Sequence, residues 1–287
     1  MLFPRLTQEP RFVDALLLNH GSWLAATVAT GLVAGFIAGL LGVGGGIVLV
    51  PVLDLALAAF GVDASVRIKI AVASSLATIV ATSAVSARTH SQHDAVDFEL
   101  VRTWGPVVFV GVVVGTLIAS RVDGDVLLGV FAVTASVVAA NMLFRADSHA
   151  LFGGFPSYSV KLVLGFVVGL VSAMMGIGGG TLSVPILTAF GTDIRRAVGT
   201  ASTLGFVIAI PGTIGYVVAG WNADLLPPFS LGYVNLIAVI AIVPLSTLTA
   251  PWGAKVAHKI PRRYLAYGFG VFLIATACRM FWSIFSS

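Results

Sequence analysis

The sequence predicts an all-α integral membrane protein of about eight transmembrane helices plus two short, glycine-entered or re-entrant helices, in two repeated halves. Three observations carry this reading. Of 287 residues, 58% are hydrophobic and 10% charged, where a soluble chain has roughly 45–50% and 25%; the mean hydropathy is +1.03. A soluble fold of this length has too little interior to hide that surface, so the surplus faces lipid. Apolar segments of about 20 residues also recur along the chain, the length that crosses a hydrocarbon layer of roughly 30 Å. Finally, one glycine-rich passage occurs twice with the same punctuation. A secreted disulfide scaffold is excluded, since Cys278 is the sole cysteine, and so are a nucleic-acid-binding domain and most soluble enzymes.

The spans are expected near 22–41, 67–86, 101–120, 125–144, 158–176, 197–218, 230–250 and 263–283. Before the first, Arg5, Glu9, Arg11, Asp14 and His20 interrupt any signal-peptide core, so that run is read as a retained span. Two apolar stretches, 47–60 and 181–190, are short. As helices of about 10–14 residues they reach only about 15–21 Å, which makes them half-helices. The chain is expected to form a single membrane domain, 1–287, with halves at about 22–144 and 158–283 joined by a linker at 145–157. Its net charge of +4 is scattered through loops. An eight-span threading puts Arg67, Lys69, Arg121, Arg195 and Arg196 on one side, and Arg88, Arg102, Lys161 and Arg279 on the other. Trp23, Trp104, Trp221, Trp252 and Trp282 fall near span ends, as interfacial anchors do.

The duplication is legible residue by residue. Residues 39–51 read GLLGVGGGIVLVP and 173–185 read AMMGIGGGTLSVP. Phe60-Gly61-Val62-Asp63 answers Phe190-Gly191-Thr192-Asp193, and the run from Lys69 to Ser74 answers that from Arg195 to Thr200. Two halves, each broken by glycine, form the pattern of a secondary transporter. If each short segment re-enters, the repeats point the same way; if each crosses as part of a broken span, they are inverted.

The paired G-x-G-G-G-x-x-x-V-P stretches, each followed by an A-V-x-[ST] segment, resemble the sulfite exporter TauE/SafE family of membrane permeases. The resemblance takes in most of the chain. It implies a polytopic inner-membrane permease for sulfite, sulfonates such as sulfoacetate, or related small organic anions. The second copy departs from the usual Thr-Ser pair, reading Thr200-Ala201-Ser202, where the first has Ser74-Ser75.

Read physically, Gly44, Gly45 and Gly46, with Gly178, Gly179 and Gly180, can take backbone angles closed to other residues and approach a ligand closely. Each run precedes a short helix, whose free N–H groups and dipole favour an anion. The alternative is close helix crossing by small residues. Ser74, Ser75 and Thr78, with Thr200, Ser202 and Thr203 on the counterpart helix, can add hydroxyls to such a site or bond their own helix carbonyls. Thr181 and Ser183 open the second short helix where Ile47 and Leu49 stand in the first, which makes the site asymmetric. Lys69 and Arg195 match in position and can draw anions into a vestibule or simply mark a membrane face. Asp54, inside the first short helix, is a proton carrier or an ion-pair residue; Asp63 and Asp193 read as N-caps. His90 and His93 lack a closed ligand set, so no metal and no cofactor is expected.

The function read from the sequence is therefore alternating-access transport of a small anion across a lipid bilayer, with no covalent intermediate. Without an ATP-binding domain, a proton or other ion gradient is the expected drive, and a homo-oligomer is compatible with the pattern. The rivals are an anion channel, and a membrane enzyme or metal protein using Asp54, His90 and His93.

Overall fold

The computed structural model describes residues 28, 31–33, 35–37, 46–144, 152–257, 260 and 262–285. Within them the chain forms α1 (Gly46–Ala59), α2 (Ala64–Gln92), α3 (Phe98–Arg121) and α4 (Gly124–Phe144). After a break come α5 (Tyr158–Met175), α6 (Gly179–Ala189) and α7 (Ile194–Ala219). A small antiparallel hairpin follows, β1 (Ser230–Leu231) and β2 (Val234–Asn235), then α8 (Leu236–Ala257) and α9 (Arg262–Phe285). The helix-rich, lipid-facing character follows from composition: Val110, Leu117, Val137, Val163, Ile214 and Ile240 are all exposed on helix surfaces.

Six of these helices are long and apolar enough to cross a membrane: α2, α3, α4, α5, α7 and, within α9, Tyr267–Phe285. That is fewer than the eight expected. The first expected span, 22–41, lies largely outside the described residues. The expected span at 230–250 is corrected: its opening is the hairpin, turned by Phe229 and Gly232 at φ 60° and 57°. Asn235 then starts α8, its side-chain oxygen accepting the Ala238 N–H at 3.0 Å. The apolar part of α8 is Leu236–Thr249.

The short helices come out as expected, at 14 and 11 residues. Both end alike. The N–H groups of Val62 and Gly61 bond to the carbonyls of Leu57 and Ala58, and those of Thr192 and Gly191 to Leu187 and Thr188. These are Schellman endings with a left-handed glycine, Gly61 at φ 70° and Gly191 at φ 86°. Asp63 and Asp193 then cap α2 and α7, accepting the N–H of Ser65 and of Arg195, each at 2.9 Å. The Ser65 hydroxyl and then its amide hold the Asp63 carboxyl below its ordinary range.

Helix directions define two faces. α2 and α7 pack antiparallel, with Ser86 bonded to Ser202, Gly205 against Ser83 and Gly212 against Leu76. α3 and α5 run parallel, Gly165 facing Trp104 and Gly169 facing Val108. α4 and α9 are antiparallel, Gly129 facing Ile284 and Gly270 facing Leu143. A first face therefore holds the starts of α2 and α4 and the ends of α7 and α9. A second face holds the end of α2 and the starts of α3, α5, α7 and α9. Arg195 and Arg196 belong to the second face, where Arg196 meets Asp97 at 3.4 Å, and not with Arg67 and Lys69 as the eight-span threading had it. The threading also placed Arg279 opposite Arg67, whereas both lie on the first face, within reach of Asp54. The reason is the same in each case: a half-helix that turns back changes which face the next helix starts from.

Trp221, Trp252 and Trp282 are exposed near helix ends, as anchors are. Trp104 is not an anchor. It is wholly buried, packed by Gly165 and edge-on to Phe155, which stacks on Phe190.

The α3–α5 contact gives a paired test. A Cβ at Gly169 would meet the Val108 backbone, whereas one at Gly165 would rest 3.5 Å from the Trp104 ring, an ordinary contact. Gly169→Ala is expected to destabilise the protein by about 1–3 kcal/mol, and Gly165→Ala to leave it unchanged or slightly firmer. Thermal unfolding of both variants in detergent would decide, and equal melting temperatures would refute the close α3–α5 crossing.

Candidate functional site

The second glycine motif is a joint between two helices. Gly176 sits at φ 69° and ends α5, and both its N–H and that of Ile177 turn back to the Ser172 carbonyl. Gly178 is extended and α6 begins at Gly179, so one helix closes and the next opens within three residues. The joint is packed by backbone. A Cβ at Gly176 would come 2.7 Å from Val72 Cα, and one at Gly179 would come 2.7 Å from the Ala201 carbonyl oxygen. A Cβ at Gly46 would fall 2.9 Å from Ile177 Cα and 3.0 Å from the Gly176 oxygen. These three positions thus carry close crossing, and they also bring the described start of α1 beside the start of α6. Gly178 lies against Ile79, and Gly180 is half-buried. Gly44 and Gly45 lie outside the described residues.

Gly178 gives α6 no side-chain cap. Flanking this uncapped start in the chain are hydroxyls with no hydrogen-bond partner among the described residues: Thr181 and Ser183 on α6 and Ser172 on α5, none more than 2% exposed. Thr181 and Ser183 stand two apart, on opposite sides of α6. Burying an unpartnered hydroxyl is unfavourable by about 1–3 kcal/mol, which makes these groups candidates for contact with a ligand or a water. Sequence reasoning chose Thr181, noted Ser183 as an asymmetry, and missed Ser172 and the equally unpartnered Thr213 of α7. Neither of the two missed residues belongs to a motif that would single it out.

The hydroxyls expected on α2 and α7 are spoken for. Ser74 accepts the Asn235 N–H at 3.0 Å, and its counterpart Thr200 accepts the Asp97 N–H at 2.9 Å. Asp97 and Asn235 each start the next long helix by accepting an N–H three residues on, from Leu100 and Ala238. Ser74 and Thr200 are therefore clamps for the starts of α8 and α3. Ser75 donates to the Gly176 carbonyl at 2.7 Å. Thr78 donates to Ser74, Ser202 to Val198 and Thr203 to Gly199, all helix carbonyls four residues back.

Asp54 is 3% exposed on α1, one carboxylate oxygen 2.9 Å from Arg67 Nε and the other 3.0 Å from Arg279 Nη2. Of its two candidate roles, this geometry supplies the ion pair. Arg279, near the end of α9, is turned toward α1. Lys69 stands over the Tyr233 ring, 5.8 Å from its centroid, while Arg195 is exposed at the opposite face. Being at opposite ends of antiparallel helices, the two cannot line one vestibule. Among the described residues no cluster of three or more metal-binding side chains occurs.

Six helices apolar and long enough to span a membrane, with the half-helix α6 opening at a joint inside the protein, define a multi-pass membrane protein. The chain belongs to the family described as sulfite exporter TauE/SafE, whose model matches residues 27–280. A "probable membrane transporter protein" of Haemophilus influenzae is 34% identical over 260 residues, covering 91% of this chain and 98% of the relative. Proteins of the same description from Methanocaldococcus jannaschii and Bacillus subtilis are each 26% identical, covering 84% and 90% of this chain and 89% and 98% of their own lengths. No solved structure matches.

The joint predicts opposite outcomes for two hydroxyl removals. Ser75→Ala strands the buried Gly176 carbonyl and is expected to cost about 1–2 kcal/mol. Thr181→Val removes an unpartnered hydroxyl and is expected to leave stability unchanged or raised. Melting temperatures of the purified variants check this, and a loss confined to Thr181→Val would contradict it.

Proposed function

We propose that the protein is a carrier for a small anion, with sulfite, a sulfonate or a related organosulfur anion as the substrate class. The observation that supports it most is the meeting of the α1 and α6 starts at Gly46 and Gly176–Ile177 beside buried, unpartnered hydroxyls. Each helix start contributes the equivalent of roughly half a positive charge, in surroundings where water does not screen it. Backbone N–H groups with Thr181, and with Ser172 or Ser183, can surround an oxyanion without a fixed cation, so the ligand is bound yet can leave. The family's name points to the same ligand chemistry.

On this reading the chain is one membrane domain of two inverted repeats, joined near 145–157. Three correspondences support the duplication: the like Phe-Gly-x-Asp turns, the matched clamps at Ser74 and Thr200, and the matched helix starts at Asp97 and Asn235. The antiparallel course of α2 and α7 supports inversion over a parallel arrangement. Such repeats rocking about a central site give alternating access. With both Asp54 oxygens held by guanidinium groups, any coupling to an ion gradient is assigned to other groups.

The test is flux of sulfite, sulfoacetate, methanesulfonate, sulfate and small carboxylates into liposomes holding the purified protein. Saturable uptake of one of these anions is expected, with a half-saturating concentration raised about tenfold in Thr181→Val, the equivalent of about 1.4 kcal/mol. Non-saturating flux would establish a channel. No flux of any member by folded protein would remove the sulfur-anion assignment.

A further inference from the structure

We infer that the Asp54–Arg67–Arg279 cluster on the first face is a second anion-binding site, taking a monovalent oxyanion on the Arg279 guanidinium. Nothing in the proposed half-helix site requires it. Charge marks the site. Two guanidinium groups share one carboxylate: Arg67 Nε holds one oxygen at 2.9 Å and Arg279 Nη2 the other at 3.0 Å. Among the described residues neither arginine has a second carboxylate within 4.0 Å. The cluster therefore carries one positive charge in excess, on side chains that are only 17% and 34% exposed. Unbalanced charge at low dielectric is unfavourable, and binding an anion there is correspondingly favoured.

Geometry makes the excess specific. Arg279 Nη1 is shielded from solvent and meets no acceptor among the described residues. A guanidinium presents its donors in a fixed planar fork. With Nη2 committed to Asp54, Nη1 is a buried donor left for an incoming oxygen. A carboxylate, sulfite or sulfonate oxygen suits it, because charge-assisted N–H···O bonds are strong with these acceptors. The three residues come from three elements, with Asp54 on α1, Arg67 in the first turn of α2 and Arg279 near the end of α9. The site is thus fixed by tertiary structure and not by one flexible side chain. Asp54 lies eight residues beyond Gly46, roughly 12 Å along α1. An anion held here stands between the first face and the start of the half-helix. That role as a waypoint rests on the proposed function; the existence of the site does not.

The test uses the full-length protein in detergent, titrated with methanesulfonate at constant ionic strength against chloride, which is not an oxyanion, with melting temperature as the readout. A ligand that binds only folded protein raises the melting temperature with concentration. A saturable rise is expected in the wild type. Arg279→Gln, which leaves Asp54 paired with Arg67, should weaken the apparent affinity at least tenfold. Asp54→Asn should melt lower without the anion and recover with it, showing a larger rise than the wild type, because the anion replaces the lost carboxylate. A merely structural ion pair would not produce this recovery. No saturable rise in folded wild type would overturn the site, as would a rise unchanged in Arg279→Gln. A rise that survives Arg279→Gln but vanishes in Thr181→Val/Ser183→Ala would assign the binding to the half-helices, overturning this site while leaving the proposed function standing.

Discussion

A chain that ends one helix and begins another inside a membrane frees amides and carbonyls where no water can take them. The joint at residues 176–179 meets that constraint with few atoms. The Ser172 carbonyl takes two N–H groups, the Ser75 hydroxyl takes the Gly176 carbonyl, and the missing Cβ atoms let α2 and α7 approach the backbone directly. What stays unsatisfied is the start of α6 and the hydroxyls beside it. The joint therefore separates the groups that hold the fold from those that the proposed function assigns to a ligand.

The pair α2 and α7 works as a frame around this joint. Each is preceded by a half-helix and capped by aspartate, and each spends one hydroxyl on the amide at the start of another helix, Ser74 on Asn235 before α8 and Thr200 on Asp97 before α3. These bonds span 161 and 103 residues of sequence. They position α8 and α3, which in turn pack against other helices through glycine. Movement of α2 relative to α7 would consequently be transmitted to the starts of α3 and α8 without any long side chain taking part.

Much of this was legible beforehand, and the failures share a cause. Composition gave the membrane class, and glycine punctuation located both half-helices to within two residues. The Phe-Gly-x-Asp turns revealed their endings because Schellman glycines and aspartate caps are local devices. Ser74 and Thr200 were recognised as equivalent, but their role depends on residues more than a hundred positions away and no periodicity reports that. Trp104 looked like an interfacial residue until Gly165 and Phe155 were seen to cover it. Arg67, Lys69 and Arg195 were misplaced relative to one another, since sidedness depends on whether a short helix turns back. The asymmetry of Thr181 and Ser183 against Ile47 and Leu49 was visible, while Ser172 belonged to no motif at all.

One consequence follows from the α6 start being built of backbone amides and hydroxyls. Such a site contributes no formal charge of its own to the transport cycle. On the anion reading, a monovalent substrate crossing in it carries one full elementary charge, so the membrane voltage acts directly on the loaded carrier. A potential of about 100 mV does about 2.3 kcal/mol of work on that charge, close to a fiftyfold bias in the equilibrium distribution. Where the cell interior is negative, that bias is outward: electrical force alone would expel the anion, one co-transported monovalent cation would cancel it, and two would reverse it.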